Sequence, residues 1–246
     1  MSDEYYPISP QTYDDQFWWK KDDIEFWKLI FSNNNLKILE LASGTGRLAK
    51  PIIKQGLKYT GLEISRKYVT YSNLKFPFLN PFVHGDMRSF DLKEKFDIIF
   101  IGFNSFLHLL SEKDAVQCLE SIRSHMRSDS KLYIDIFTPN ASFLYRDPDI
   151  SIDIMEFFDS LENSMVNIEE FSDYNESLEK ISVIWEYKNK KNICFRRFKF
   201  QMKIYYPHVI NQLLLENGFK IQHLWGSYDM DVFSELSPLQ IYELSI

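Results

Sequence analysis

Apolar positions in the first 137 residues form short continuous runs that alternate with segments of helical periodicity. The runs LKILELA, LKYTGLEI, PFVHGD, KFDIIFIGF and SKLYIDIF predict five buried strands. The segments DDIEFWKLIF, GRLAKPIIKQG, SRKYVTYSNLKF and SEKDAVQCLESIRSHM predict helices, with Ser65 and Ser111 as N-caps of the last two. Strands that alternate with helices are typical of a parallel sheet with right-handed crossovers.

The pattern changes after the fifth predicted strand. The segments MVNIEEFSDYN, KISVIWEYKNK and NICFRRFKFQMKIYY are rich in β-formers and have no helix between them, so they predict antiparallel strands with KNKKN as a hairpin tip. A helix then runs from Pro207 to about Gly218. The segments KIQHLWGSY and PLQIYELSI predict two final strands. We interpret the antiparallel strands as an insertion within one architecture.

Composition narrows the class of protein. The net charge of −7 over 246 residues disfavours a general nucleic-acid partner. The two cysteines have no metal-ligand spacing, so we expect no metal site and a reducing compartment. The first ten residues lack the basic and apolar regions of a signal peptide, and no apolar stretch approaches the length of a membrane span. We therefore expect a cytoplasmic protein without a membrane partner.

Polar residues follow three consecutive predicted strands at the point where each strand ends. The sequence Ser43-Gly44-Thr45-Gly46 follows the first strand, Glu63 ends the second, and Asp86 ends the third. The carboxyl ends of parallel strands meet at one edge of a sheet, which is where such sheets bind ligands. Glycines there let a ligand approach the main chain. Glycines that only allow a tight turn are the competing interpretation, which leaves the two acids unexplained.

A dinucleotide is one candidate ligand. The sequence GTGRLA places Ala49 where the dinucleotide fingerprint has its third small residue, and Glu63 lies roughly 20 residues downstream, where an acid binds ribose. However, Glu40 precedes the glycines inside the strand, and no obvious hydride-transfer residues follow.

The motifs together resemble those of the class I S-adenosylmethionine-dependent methyltransferases. The matching segments are LELASGTGR, GLEIS, GDM and FDIIFIGFNSFLHLL, and the C-terminal segments resemble small-molecule members such as glycine and amino-sugar N-methyltransferases. RSDSK stands where many members have Pro-Gly-Gly. The resemblance implies an α/β fold with a doubly wound, mostly parallel, seven-stranded Rossmann-like sheet and an antiparallel β insertion as a lid. We expect a single domain with an N-terminal cap (1–35), a cofactor-binding core (36–150), the insertion (151–206) and a C-terminal helix and strands (207–246).

The resemblance also implies roles for the residues at the sheet edge, with S-adenosylmethionine as the cofactor. Glu63 would accept from the ribose hydroxyls and Asp86 from the adenine amino group, while Gly44 and Gly46 would admit the methionine part. Arg47 is either a cofactor contact or a solvated charge. The remaining predicted cofactor residues are Tyr13, Glu40, Ala42, Ile64, Met87 and Phe103.

Three further residues are candidates for catalysis. His108 follows the fourth strand, where the activated methyl would point in this family. It is either a general base or a wall of the acceptor pocket, or else a histidine that ties the loop down. Asn104 and Tyr206 are the other candidates.

The sequence thus predicts a methyltransferase that acts on a small molecule, by in-line transfer and first of all to an amine nitrogen. A catalytically silent S-adenosylmethionine-binding protein and a methyltransferase acting on a protein are the alternatives. The acceptor and the oligomeric state do not follow from the sequence.

Overall fold

The computed structural model describes residues 8–32 and 35–246, and the chain divides into two compact units. The first unit combines the described part of Met1–Lys20 with Pro139–Tyr205. The second combines Lys21–Thr138 with Tyr206–Ile246.

The second unit contains the seven-stranded sheet and the helices that flank it in sequence. Its strands are β1 (Lys37–Leu41), β2 (Lys58–Glu63), β3 (Phe82–His84), β4 (Phe96–Ile101), β5 (Met126–Phe137), β10 (Lys220–Trp225) and β11 (Leu239–Ser245). Its α-helices are α2 (Ile24–Ile30), α3 (Ala49–Lys54), α4 (Arg66–Lys75), α5 (Glu112–Ser124) and α7 (Pro207–Glu216). A short 3-10 helix covers Ser105–His108.

The strand order confirms the predicted fold class. The sheet has the order β10-β11-β5-β4-β1-β2-β3. The five strands β5, β4, β1, β2 and β3 run parallel to one another, and β11 is antiparallel to its two neighbours, β10 and β5. The strands β4, β1, β2 and β3 are therefore adjacent and parallel. Their carboxyl ends, with the loops that follow them, lie along one edge of the sheet.

Local signals in the sequence account for the helix boundaries of this unit. Ser65 and Ser111 are the N-caps of α4 and α5, and their hydroxyls accept from the main-chain N–H groups of Tyr68 and Asp114, as the sequence predicts. One face of the sheet packs against the aromatic side of α2, where Trp27 and Phe31 contact Phe100 of β4. This burial holds β1 and β4 at the centre of the unit.

The first unit is built on the predicted antiparallel strands. The sheet has the order β6-β7-β8-β9, from β6 (Ile152–Asp159), β7 (Ser164–Asn175), β8 (Lys180–Lys188) and β9 (Cys194–Lys203). The sequence KNKKN joins β8 to β9 as a turn, as predicted. Strand β6 was not predicted, because it is an edge strand whose apolar run is interrupted by acidic residues.

The described residues of this unit also form the helices α1 (Pro10–Gln16) and α6 (Ala141–Leu144). Helix α1 has a largely polar sequence without apolar periodicity, and tertiary contacts stabilise it: the Tyr187 hydroxyl donates to Gln16 Oε1 at 2.8 Å. The predicted division into four segments of one domain, with a lid, stays a prediction. Residues 1–7 and 33–34 of its cap segment 1–35 lie outside the described residues.

Within the described residues, no helix has both the length and the apolar composition that a membrane crossing requires.

Candidate functional site

The loop after β1 leaves room beside its main chain. Ala42, Gly44 and Gly46 all have positive φ angles, of 54°, 55° and 76°. A Cβ atom added at Gly46 would lie 2.3 Å from the Phe82 ring, so this glycine is required by packing. A Cβ atom added at Gly44 would meet nothing within 4 Å. The open space at Gly44 fits a ligand that approaches the main chain closely.

Glu63 closes this loop from the neighbouring strand. Its Oε2 accepts from the Gly44 N–H at 2.9 Å and its Oε1 from the Ser65 N–H at 2.8 Å. Burial raises the pKa of Glu63, and hydrogen bonds from the main chain of Ser65, Gly44 and Ile64 partly offset that effect. The carboxylate is therefore held in one orientation between the loops that follow β1 and β2.

Glu40 lies in β1, directly before the loop, and is buried. The Tyr59 hydroxyl of β2 donates to Glu40 Oε2 at 2.5 Å. Burial raises the pKa of Glu40 to about 8, even though the bond from Tyr59 and the charge of Arg47 act to lower it. The Glu40 carboxyl therefore keeps its proton to a higher pH than an ordinary glutamate does.

The Arg47 side chain forms an ion pair with a buried aspartate and is not simply a solvated charge. Its two terminal nitrogens donate to the two carboxylate oxygens of Asp23 at 2.7 and 2.6 Å, and Asp23 is fully buried at the start of α2. The guanidinium also lies over the Phe103 ring, 5.6 Å from its centroid. Arg47 thereby connects the loop after β1 with the turn after β4, and its predicted cofactor contact stays a prediction.

Asp86 follows β3 and forms an ion pair with Arg88. Arg88 donates to it through the main-chain N–H at 2.9 Å, through Nε at 3.0 Å and through Nη2 at 2.6 Å. Burial acts to raise the pKa of Asp86, but the bonds from Arg88 outweigh it and lower the pKa. The neighbouring predicted contacts, Ile64 and Met87, are both partly buried.

The turn after β4 is built from two non-glycine residues in the left-handed region. Phe103 and Asn104 have φ angles of 52° and 64°. The Phe103 N–H donates to Asp135 Oδ2 at 3.1 Å, and the Asn104 N–H donates to the Asp135 carbonyl at 3.0 Å. Asn104 Oδ1 in turn accepts from the Phe137 N–H at 2.7 Å. This oxygen of Asn104 therefore ties the turn to β5.

Asp135 is almost completely buried, and a tyrosine from the loop after β10 reaches it. The Tyr228 hydroxyl donates to Asp135 Oδ2 at 2.7 Å. Burial and the neighbouring Asp135 carboxylate raise the pKa of Tyr228. His108 ends the 3-10 helix that follows this turn and is partly buried. The predicted catalytic residues Asn104 and His108 therefore stand on a segment whose start is held by Asp135.

The two predicted tyrosines occupy different units. Tyr206 is the N-cap residue of α7 in the second unit, and its ring stacks on His208 with centroids 6.1 Å apart. Tyr13 belongs to the first unit, where its ring packs against Phe17 at 4.7 Å. The roles predicted for both stay predictions.

The sequence did not identify four residues of this region as parts of the candidate site: Asp23, Tyr59, Arg88 and Asp135. Asp135 was visible as the one charged residue in the apolar run LYIDIF, and Arg88 follows the predicted adenine contact by two positions. Asp23 and Tyr59 carry no local signal, because their partners lie 24 and 19 residues away.

Comparisons with known proteins agree with this geometry. Residues 38–129 match the sequence profile of a methyltransferase domain. YqeM of Bacillus subtilis, a provisionally named methyltransferase, is 25% identical over 150 residues, which cover 56% of this chain and 61% of that protein. The chain thus spans less than two thirds of the length of this relative.

Solved structures show the same fold. An S-adenosylmethionine-dependent methyltransferase from Clostridium acetobutylicum superposes with a TM-score of 0.76 at 17% identity, over 95% of this chain and 96% of that one. The sugar N-methyltransferase KedS8 from a Streptoalloteichus species gives 0.66 at 16% identity, over 90% and 86%. These solved structures therefore share the fold of this chain, and the methyltransferase profile matches the part of it that holds β1 to β4.

Proposed function

We propose that the protein transfers a methyl group from S-adenosylmethionine to a small molecule, in the first instance to an amine nitrogen. The observation that carries the proposal is the pairing of open space at Gly44 with the fixed carboxylate of Glu63 on the adjacent strand. The methyl donor would supply an activated methyl group on a sulfonium. The similarity to sugar N-methyltransferases supports nitrogen as the acceptor atom.

The chain's own residues would bind and orient this donor. Glu63 has about four acceptor positions, and the N–H groups of Gly44, Ile64 and Ser65 already use three. When both ribose hydroxyls bind to Glu63, we therefore expect one of them to replace the Gly44 N–H as a donor to this carboxylate. Asp86 would accept from the adenine amino group. A neutral amine can attack the methyl group directly, and in-line placement of the two reactants can lower the barrier by ~7 kcal/mol or more, so methyl transfer does not always need a base.

The cofactor assignment is tested by calorimetry with the purified chain. S-adenosylmethionine and S-adenosylhomocysteine should bind in preference to NAD. Glu63→Ala and Asp86→Ala should each weaken binding by roughly 5- to 150-fold, because a lost acceptor leaves a donor of the bound ligand unpaired. Glu243→Ala is the matched control, since Glu243 pairs with Lys131 on an antiparallel strand of the same sheet. Equal affinity in the wild type and both site variants would contradict the assignment.

The role of His108 requires two variants. If His108 is a base or orients the acceptor, His108→Ala should lower turnover by about 100-fold or more while the affinity for S-adenosylhomocysteine hardly changes. If it only ties down the segment, the same variant should lose thermal stability and keep its rate per folded molecule. His108→Asn keeps hydrogen-bonding capacity but cannot act as a base, so full turnover in this variant across a pH series would eliminate the base role.

A screen of small amines, including amino sugars, with radiolabelled S-adenosylmethionine then tests the acceptor class. Methylated product with at least one amine supports the proposal. Binding of the cofactor with no transfer to any small molecule, but transfer to a protein, would replace the small-molecule acceptor by a protein one.

A further inference from the structure

Arg88 joins two carboxylates that come from different parts of the second unit. It donates to Asp86 after β3, and its Nη1 donates to Asp114 Oδ1 in the first turn of α5 at 2.9 Å. Asp114 is itself fixed, because the Ser111 hydroxyl donates to its Oδ2 at 2.6 Å and its main-chain N–H is capped by Ser111 Oγ. The Arg88 carbonyl also accepts from Ser121 of α5 at 2.9 Å. Helix α5 therefore holds Arg88 at both its side chain and its main chain.

This arrangement leaves a defined part of Asp86 for another donor. A carboxylate offers about four acceptor positions. Arg88 makes four hydrogen bonds to Asp86 from three donors: its main-chain N–H, its Nη2, and its Nε, which is shared between the two carboxylate oxygens. These three N–H groups serve about four acceptor positions, so Asp86 can accept one further donor once the shared Nε–H bond is confined to one oxygen, and the planar guanidinium sets the direction of that position. A single further N–H donor, such as one from an aromatic amino group, matches that position.

An ordinary surface ion pair would not fix the orientation of a carboxylate in this way. The side chains of Arg88 and Asp86 are 28% and 25% exposed, and pairs at such sites stabilise a fold only weakly. The three-member arrangement with Asp114 fixes the orientation of Asp86. Orientation matters for recognition of a directional donor and much less for the stability of the fold.

We propose that Arg88 is the positioning residue for base selectivity in the cofactor site: it holds Asp86 so that the site accepts a purine carrying a 6-amino group and rejects one carrying a 6-oxo group. The inference rests on the proposed function. The 6-oxo group presents an acceptor to the fixed carboxylate, so that the two acceptors repel each other. Selectivity then depends on Arg88 even though Arg88 acts on the base only through Asp86.

The test compares S-adenosylhomocysteine with S-inosylhomocysteine by calorimetry on the full chain. The wild type should prefer the adenosyl ligand by roughly 10- to 100-fold. Arg88→Met removes the guanidinium but keeps much of the apolar stem, and it should reduce the preference to about 3-fold or less. Arg88→Lys should give an intermediate preference, because an ammonium cannot bridge both carboxylates as a fork does.

Two further variants keep the test decisive. Arg127→Met removes an arginine that pairs with Asp97 at the amino end of β4, away from Asp86, and should keep the wild-type preference. Asp114→Asn preserves the shape of the anchor while weakening it, so it should lower the preference by a smaller factor, and it replaces Arg88→Met if that variant does not fold.

The outcomes separate the inference from the function. If Arg88→Met and Asp114→Asn weaken both ligands by the same factor, Arg88 is only structural and the inference is overturned. A gain in affinity for S-adenosylhomocysteine in Arg88→Met overturns it as well, because Arg88 would then compete with the base. The inference is also overturned if the wild-type protein binds both ligands with equal affinity. A wild type that binds neither ligand overturns the proposed function itself.

Discussion

Two turns at the carboxyl edge of the large sheet adopt the same unusual backbone by different means. The loop after β1 has positive φ angles at Ala42, Gly44 and Gly46, while the turn after β4 has them at Phe103 and Asn104. Each turn adjoins a buried acid that accepts from a tyrosine, Glu40 from Tyr59 and Asp135 from Tyr228.

The difference lies in what stabilises each backbone. Two of the three positive-φ residues after β1 are glycines, which adopt the left-handed region without strain, and the main chain beside Gly44 is left open. Phe103 and Asn104 are strained there, and hydrogen bonds to Asp135 and Phe137 compensate. The first turn is thus suited to close approach of a ligand, and the second to fixed placement of the side chains that follow it.

The largest effect is expected from Gly46→Ala, which breaks the first turn. The added methyl group would overlap the buried Phe82 ring at 2.3 Å and would also be strained at φ 76°. Overpacking and backbone strain together should lower the free energy of unfolding by about 3–5 kcal/mol, measured by urea denaturation. Adding Phe82→Leu to Gly46→Ala should recover part of the free energy of unfolding that is lost to overpacking. If the double variant shows no coupling, the overlap is not the cause.

Asp135→Ala breaks the second turn and should have the next largest effect. It removes the acceptor for the Phe103 N–H and the Tyr228 hydroxyl, and unpaired buried donors lower stability by ~2–4 kcal/mol in total. Asp135→Asn keeps one acceptor oxygen and should lose about half as much. Hydrogen exchange at the Phe103 amide gives the local readout. Unchanged exchange there in Asp135→Ala would show that the carboxylate does not hold the turn.

Glu40→Gln sharpens the comparison through pH. The pKa of Glu40 is raised from 4.5 to about 8 in the folded chain, so the folded state holds more protons than the unfolded state between these values. Stability should therefore fall as pH rises through this window, by at most about 1.4 kcal/mol per pH unit. Glu40→Gln should remove this slope, and Glu243→Gln should retain it. Parallel curves for the wild type and Glu40→Gln would contradict the expectation.

The smallest effects are expected from a reciprocal pair of exchanges in the first turn. Ala42→Gly relieves an alanine at φ 54° and should stabilise the fold by about 0.5–1 kcal/mol, after the larger chain entropy of glycine in the unfolded state is subtracted. Gly44→Ala has open space but a φ of 55°, so it should destabilise by about 1 kcal/mol from backbone strain alone. Equal signs for the two variants would show that φ is not the controlling term.

Much of the fold followed from the apolar pattern. The five parallel strands, their helices and the antiparallel strands β7 to β11 were predicted, because buried strands and amphipathic helices carry periodicities that can be recognised over a few residues. Strand β6 and the helices α1 and α6 were missed: an acidic edge strand and a largely polar helix depend on contacts distant in sequence, and α6 is only four residues long.

For the candidate site, the sequence by itself determined which strand ends carry polar groups, and hence that Gly44, Glu63 and Asp86 meet at one edge. Parallel topology follows from alternating elements, so that conclusion needed no coordinates. Only the tertiary structure decided how these groups are held: Arg47 by buried Asp23, Asp86 by Arg88, and the turn after β4 by Asp135. Each of these bonds depends on side-chain direction and burial, which a one-dimensional pattern does not encode.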